Sequence, residues 1–243
     1  MHIIKLNAID STNTYLRKLC NKAVIKDYTV VSARLQNKGR GQIGTSWESQ
    51  EGKNLTCSVF KVIRGISTDQ NFYISMVTSL AIITTLQRFN IPKLRVKWPN
   101  DILSEDKKIC GILIENIIKN TTLEASIIGI GLNVNQTEFD NLPLASSLKN
   151  ITGQLFDIDE LILTIVQNLK LYFNRLKTGE NEAIKHEYET LLFRKDKPST
   201  FKDQDGLLFP GFIKGIDASG NLTVLLEDEI IKTFKLKEIQ LLF

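Results

Sequence analysis

The segment "NKGRGQIGTSW", residues 37–47, constrains this chain more than any other. Its run Gly39-Arg40-Gly41-Gln42-Ile43-Gly44 fits G-x-G-x-x-G, and glycines there let backbone N–H groups approach an anion closely. What comes next decides the fold. A dinucleotide-binding unit needs a helix after such a loop, with its N-terminus on the pyrophosphate. Here Gly52 leads into "KNLTCSVFKVI", which reads as a strand. A phosphate loop needs a lysine where Thr45 stands, and a protein-kinase loop needs H-R-D and D-F-G, which are absent. What remains is a strand–loop–strand hairpin entered from "YTVVSARL", residues 28–35. Its backbone and the Arg40 fork suit a phosphate or carboxylate.

The rest of the chain extends this pattern. "HIIKLN" alternates as a strand, and Asp10, Ser11, Thr12 and Asn13 offer N-caps to a helix "TYLRKLC". Ser67 and Gln70 predict a capping box for a helix to about Phe89, with Tyr73, Met76, Val77, Leu80 and Ile83 on one face. "LRVKW", "ICGILIENII" and "TLEASIIGIGLNV" are strands, the last two joined by a tight turn at Lys119-Asn120. One helix is capped by Asp157 with Glu160, a second runs from about Asn181 to Phe193, and Gly179 separates them. After about Arg194 only short strand-like runs remain, between Asp205-Gly206, Gly215 and Ser219-Gly220-Asn221, as in a small β-barrel. The expected fold is therefore α+β. A largely antiparallel sheet with helices packed on it spans 1–193, and an all-β unit spans 194–243.

A length of 243 residues with 42% hydrophobic content is enough for that core, and the net charge of +4 suits a phosphorylated ligand or an acidic protein partner. Cys20, Cys57 and Cys110 are odd in number and form no C-x-x-C, which fits buried free thiols in a reducing compartment. No apolar run approaches the roughly 18 residues of a membrane span, and "MHIIKLNAID" is no signal peptide, so the expected location is cytoplasmic.

Three further stretches carry polar groups at strand ends. "VKWPNDIL" sets Asn100 beside Asp101 after a proline, a pair able to hold Mg²⁺ or steer an amine. "DKKICGILIE" puts Lys108 at the mouth of an apolar strand, although a single exposed lysine is ordinarily just a solvated side chain. "GIGLNVN" ends in Asn133 and Asn135, and an asparagine amide can pair with adenine. Trp47 could stack on that adenine or be a half-buried surface aromatic.

Together "DSTNTYL", "QNKGRGQIGTSW", "VKWPNDIL", "KKICGILIE" and "IGIGLNVN" resemble the biotin–protein ligases, in that family's order and spacing across the whole chain. The resemblance implies a class II synthetase-like core followed by an SH3-like barrel. It implies activation of biotin by MgATP to biotinyl-AMP, then transfer to a lysine on the biotin carboxyl carrier domain of a biotin-dependent carboxylase. Biotin would lie among Ser11, Thr12, Asn13, Gln36, Gly39, Arg40, Gly41, Gln42 and Lys108, with the first two and Gln36 on its ureido ring. Arg40, Trp47, Lys108 and Asn133 would hold ATP and the adenylate. Arg40, Lys108 and Asp101 would be catalytic, and Asn100 would serve the metal. The resemblance is compatible with a homodimer. Members that double as repressors carry an N-terminal helix-turn-helix domain; "DSTN" begins at residue 10, which points to the ligase-only form with no DNA partner. Gln42 departs from the family, many of whose members carry a second arginine there.

Other readings stay open. A lipoate- or octanoyl-transferring relative binds a linear chain, against which the polar Ser11, Thr12 and Gln36 cluster argues. A non-catalytic biotin or nucleotide binder would not need both Arg40 and Lys108. An RNA-binding protein should alternate aromatic and basic residues along a strand, and none here does.

Overall fold

The first two strands, β1 (His2–Ile9) and β2 (Thr29–Gln36), are parallel, a pairing no tight turn can make. The crossover between them is α1 (Thr12–Cys20), capped by Ser11, whose Oγ accepts the Thr14 N–H at 3.4 Å. β3 (Leu55–Val62) returns antiparallel to β2, so the glycine loop does join two strands. The structure is a computed structural model that describes residues 2–42, 44–140 and 142–243. Ile43 of the glycine loop lies outside the described residues.

The capping box expected at Ser67 and Gln70 does not form. A 3₁₀ turn, Thr68–Gln70, occupies that place, and Ser67 makes no side-chain cap bond. α2 (Phe72–Arg88) starts beyond it, where burial of Tyr73 and Ile74 sets the first turn. The helix is buried nearly all round, on more than the single face expected. β4 (Leu94–Lys97), β5 (Asp101–Ser104), β6 (Lys107–Lys119) and β7 (Thr122–Leu132) then form successive antiparallel hairpins. The β6–β7 turn places Asn120 and Thr121 at φ of 47° and 66°. α3 (Leu148–Thr152), α4 (Ile158–Lys177) and α5 (Asn181–Thr190) follow. Asp157 caps α4 as expected, accepting the Asp159 N–H at 2.8 Å. α5 stops three residues before Phe193, because Leu191 to Phe193 bond instead to β4 through Val96.

The main sheet has the order β1-β2-β3-β7-β6-β5-β4, and only β1 and β2 are parallel. Side chains alternate across it. Val30, Val59, Ile128 and Ile130 face α2 and α4 in the larger core. Val31, Phe60 and Ile127 face the other way, under Leu16 of α1. α1 has nine residues and covers only one end of that second face. Further along the same face the strands carry Thr56 and Ser58, Gly129 and Gly131, and Gly111, Leu113 and Glu115. A mainly glycine and polar surface at the centre of a sheet contributes little to a core. It forms the floor of the site.

The C-terminal strands are β8 (Pro198–Asp203), β9 (Leu208–Ile216), β10 (Leu222–Leu225), β11 (Ile231–Phe234) and β12 (Ile239–Leu242). They form a second, wholly antiparallel sheet of order β11-β10-β9-β8-β12. It is tied to the first unit by the Trp98 indole N–H, which donates to the Gly220 carbonyl at 2.9 Å, and by Glu189, which accepts the Ile216 N–H at 3.0 Å. All three cysteines are free thiols. No described helix is long and apolar enough to cross a membrane.

Candidate active site

A cavity of about 490 Å³ opens over the glycine rows of the sheet. Two aromatic and amide side chains replace the missing Cβ atoms. The Trp47 indole lies across Gly111 and Gly131; a Cβ on Gly111 would stand 2.9 Å from its Cζ3. The Asn13 amide lies on Gly129 in the same manner, and a Cβ there would stand 2.5 Å from Oδ1. Larger residues at these points would close the cavity from below.

The polar end is held by α1 and β2. Gln36 Oε1 accepts the Thr12 N–H at 2.9 Å and lies 3.1 Å from its hydroxyl. Thr12 Oγ1 is 2.7 Å from Ser58 Oγ, which is itself 2.5 Å from Asn13 Oδ1. Asn13 Nδ2 donates to the Leu113 carbonyl at 3.2 Å and to Glu115 at 3.0 Å. Ser11, Thr12, Asn13 and Ser58 are all buried.

Cationic side chains join this cluster from the hairpin and from β6. The glycine loop closes as a tight hairpin: Gly41 N–H donates to the Thr45 carbonyl at 2.8 Å and Trp47 N–H to Gly39 at 3.0 Å. Gly39 has no Cβ because the Trp47 carbonyl occupies that space. One Arg40 guanidinium nitrogen reaches both Glu115 oxygens, at 3.0 and 3.1 Å. Lys108 Nζ sits 2.8 Å from Asp101 Oδ1 and 5.7 Å from the centre of the Trp47 ring, within cation–π reach. Lys97 lies beside them. Burial holds its ammonium below the usual lysine range; Asp101 opposes that shift and Lys108 adds to it. Cys57, also in the wall, has its thiol pushed up to about 12 by burial alone.

The cavity thus gathers Ser11, Thr12, Asn13, Gln36, Arg40, Gly41, Gln42, Trp47, Asn100, Asp101 and Lys108. Two expected residues do not line it. Gly39 is buried against the Trp47 backbone, and Asn133 is buried, its Nδ2 donating to the Ser146 carbonyl at 3.0 Å. Sequence reasoning missed Ser58, Glu115, Lys97, Lys237 and Gln240. The first was legible as a polar position in phase with Phe60, and Glu115 stands inside a quoted motif. Lys237 and Gln240 reach the cavity from the second sheet, with no local signal. A larger groove of about 750 Å³ lies between the end of β3 and α4, and no expected site residue lines it.

The donors for a cation are few. Asp101 is the near carboxylate and already faces Lys108, while Asn100 Nδ2 donates to the Ile112 carbonyl at 2.9 Å. No group of three His, Cys, Asp or Glu side chains able to hold a metal exists among the described residues. Such a set suits a Mg²⁺ ion that arrives on phosphates better than a resident one.

Comparison with known proteins agrees with this geometry. Residues 6–133 match the biotin/lipoate A/B protein ligase family. The bifunctional ligase/repressor BirA of Escherichia coli K12 is 29% identical over 239 residues, covering 97% of this chain and 73% of that protein. The biotin–[acetyl-CoA-carboxylase] ligase of Paracoccus denitrificans is 32% identical over 127 residues, 51% of each. Among solved structures, the biotin protein ligase from Aquifex aeolicus in complex with biotin and ATP superposes with a TM-score of 0.82 at 26% identity, covering 99% of this chain and 98% of that one.

Proposed function

The chain belongs to the biotin/lipoate A/B protein ligase family, and from that premise we propose that it is a biotin–protein ligase acting through biotinyl-AMP. One observation carries the choice of biotin within the family. The cavity brings together a buried cluster of hydroxyls and amides, from Ser11, Thr12 and Asn13 with Gln36, and the cations Arg40 and Lys108, and Arg40 meets that cluster through Glu115. A cyclic urea needs both donors and acceptors, whereas the linear chain of lipoate or octanoate would leave that cluster unpaired.

In the first step the biotin carboxylate attacks the α-phosphorus of ATP, and the P–O bond to pyrophosphate breaks. Negative charge accumulates on the phosphoryl oxygens. Lys108 and the backbone N–H groups of the hairpin offset that charge, with Arg40 joining them when it leaves Glu115. Trp47 forms the platform for adenine. In the second step an unprotonated lysine amine of the carrier attacks the biotinyl carbonyl carbon, and AMP leaves with the electron pair of the C–O bond. Asp101 steers the incoming ammonium and accepts its proton. Asn100 and Asp101 would hold a Mg²⁺ ion bound to the triphosphate, and that ion would neutralise phosphate charge. Residues 1–193 form the catalytic unit, and 194–243 close one wall through Lys237 and Gln240. The carrier is the biotin carboxyl carrier domain of a carboxylase, in a cytoplasmic setting that keeps the three thiols reduced.

Biotin-dependent exchange of labelled pyrophosphate into ATP tests the proposal. Exchange should require biotin; equal or faster exchange with lipoate or octanoate would reassign the enzyme within its family.

A further inference from the structure

We propose that the groove between the end of β3 and α4, about 750 Å³ in volume, is a second anion site that takes a small ligand bearing a linear polyphosphate. It lies on the other side of the main sheet from the active cavity. Val59 and Ile63 face α2 and α4, and Phe60 faces α1. Lys61 turns to the α4 side, where its ammonium lies 5.4 Å from the centre of the Phe173 ring. No step of the proposed reaction uses these residues, so the inference stands apart from the choice of biotin.

Four cations line the groove, Lys61, Arg64, Lys170 and Lys177, against one carboxylate, Asp27. Asp27 is fully engaged. Its Oδ2 is 2.6 Å from Lys61 Nζ, and its Oδ1 accepts the N–H groups of Val62 at 2.8 Å and of Tyr28 at 3.2 Å. Glu182 acts on the Tyr73 hydroxyl but does not line the groove. Arg64, Lys170 and Lys177 are exposed and have no acid partner among the described residues. Lys61 is instead drawn inward: its side chain is 13% exposed, and its ammonium lies 4.6 Å from the centre of the Tyr28 ring. Lys170 lies 5.4 Å from that same ring. Two ammonium groups thus gather on one ring with one carboxylate between them, a repulsion that a bound anion would relieve. The rim adds neutral donors. The backbone N–H groups of Arg64, Gly65 and Ile66 have no acceptor among the described residues, and Gly65 turns the chain there at a φ of 75°. Successive free N–H groups of this kind cradle anions.

Spacing and shape choose the ligand. Lys170, Phe173, Asn174 and Lys177 share one face of α4. A rise of 1.5 Å per residue sets the two lysines about 10 Å apart along the helix. A single phosphate meets one end of that stripe, whereas a chain of phosphates reaches both, with the exposed Asn174 amide between them. The volume is that of a site for a small molecule, roughly 300–1,000 Å³, and not of a flat docking face. The aromatic rings do not read a base. Tyr28 and Phe173 already carry cations, and Tyr73 and Phe173 are buried. The phosphates are therefore what the groove recognises.

Inorganic triphosphate is the probe, and acylation of lysines by an amine-reactive ester, mapped by mass spectrometry on the full chain, reports where it binds. At about ten times its Kd, triphosphate should slow labelling of Lys170 and Lys177 about tenfold by mass action. Exposed Lys202 of β8 should be unaffected, and Lys108 reports the active cavity separately. Orthophosphate at the same concentration should protect neither groove lysine, and ATP and GTP should protect both equally. In calorimetry, replacing Lys170 and Lys177 together by glutamine should weaken triphosphate binding at the groove about a hundredfold, two charge-assisted contacts at roughly tenfold each. The same variant should bind biotin as the wild type does. Protection confined to Lys108, or groove labelling that falls no more than that of Lys202, would overturn the inference. Equal protection by orthophosphate would show screening of charge in place of a site, and a tenfold preference between ATP and GTP would show that a base is read; either result also overturns it. A wild type that protects the groove but binds no biotin would refute the functional reading alone.

Discussion

Gly129 and Gly131 lie two residues apart on one face of β7, yet the same added methyl should damage different halves of the reaction. Neither has a left-handed φ, so the whole perturbation is the collision of the new Cβ. At Gly131 that atom meets the Trp47 indole, 2.7 Å from Cζ2 and 2.8 Å from Nε1. Trp47 belongs to a hairpin whose Gly44, Thr45 and Ser46 are exposed, so the indole can swing away while the sheet stays in place. Its Nε1 has no hydrogen-bond partner among the described residues. Losing the adenine platform removes roughly 1–3 kcal/mol of stacking, or about 5- to 150-fold in the KM for ATP. At Gly129 the methyl meets Asn13, 2.5 Å from Oδ1 and 3.1 Å from Nδ2. Asn13 is only 3% exposed and bonded to Leu113, Glu115 and Ser58, so it cannot leave without breaking that set.

Gly129→Ala should therefore lose about 3 kcal/mol from the three hydrogen bonds of Asn13 that break, roughly 6–12 °C in Tm for a chain of this size. Its biotin Kd should rise tenfold or more. Gly131→Ala should keep its Tm within about 3 °C of the wild type and its biotin Kd within about threefold. Thermal melts, calorimetric biotin binding and the ATP dependence of pyrophosphate exchange give these quantities. If Gly131→Ala raises the biotin Kd as much as the ATP KM, the two rows are not separate subsites. If it leaves the ATP KM unchanged, Trp47 is not the adenine platform.

Much of this arrangement was legible before any coordinates. Residue pattern located six of the seven strands of the main sheet, all but β5, and the strand after Gly52 excluded a dinucleotide fold. Asp157 announced the start of α4 because a cap is a local event within one turn. Ser67 and Gln70 carried the same kind of signal, but a 3₁₀ turn took up those residues and tertiary burial set where α2 begins. Leu191 to Phe193 continued a helical pattern that lost to pairing with Val96, another long-range contact. The role of the glycines was half visible. Two glycines one residue apart in "GIGLNVN" leave backbone space beside a strand, but only the register with Gly111 and Ser58 shows one continuous floor. Lys237 and Gln240 were beyond local reasoning, since the docking of a second sheet brings them to the cavity.

Lys108→Ala should slow single-turnover adenylation about 10²- to 10³-fold and leave the biotin Kd within about threefold, because its charge partner grows mainly in the transition state; a raised Kd with an unchanged rate would contradict that role. Native protein at pH 8 should take up iodoacetamide faster at half-buried Cys20 than at Cys57 or Cys110, because reagent reaches neither buried thiol; burial raises all three thiols, Cys57 to about 12, and comparable labelling of Cys57 and Cys20 would show that the cavity wall opens. Gln42→Arg addresses the point where the chain departs from its family. The Gln42 side chain lines the cavity with no hydrogen-bond partner among the described residues, and its backbone carbonyl accepts from Thr45 N–H and Oγ1 at 3.2 and 2.7 Å. The hairpin turn thus depends on the backbone at 42, and a new side chain there leaves it intact. Arg40 is held by Glu115, so its guanidinium reaches the adenylate phosphate only when that pair opens. A guanidinium at 42 would make a charge-assisted bond of roughly 1.5–3 kcal/mol. Release of labelled biotinyl-AMP should then slow by about tenfold or more. Wild-type and variant release rates within about twofold of each other would mean that Gln42 leaves the adenylate no looser than arginine does.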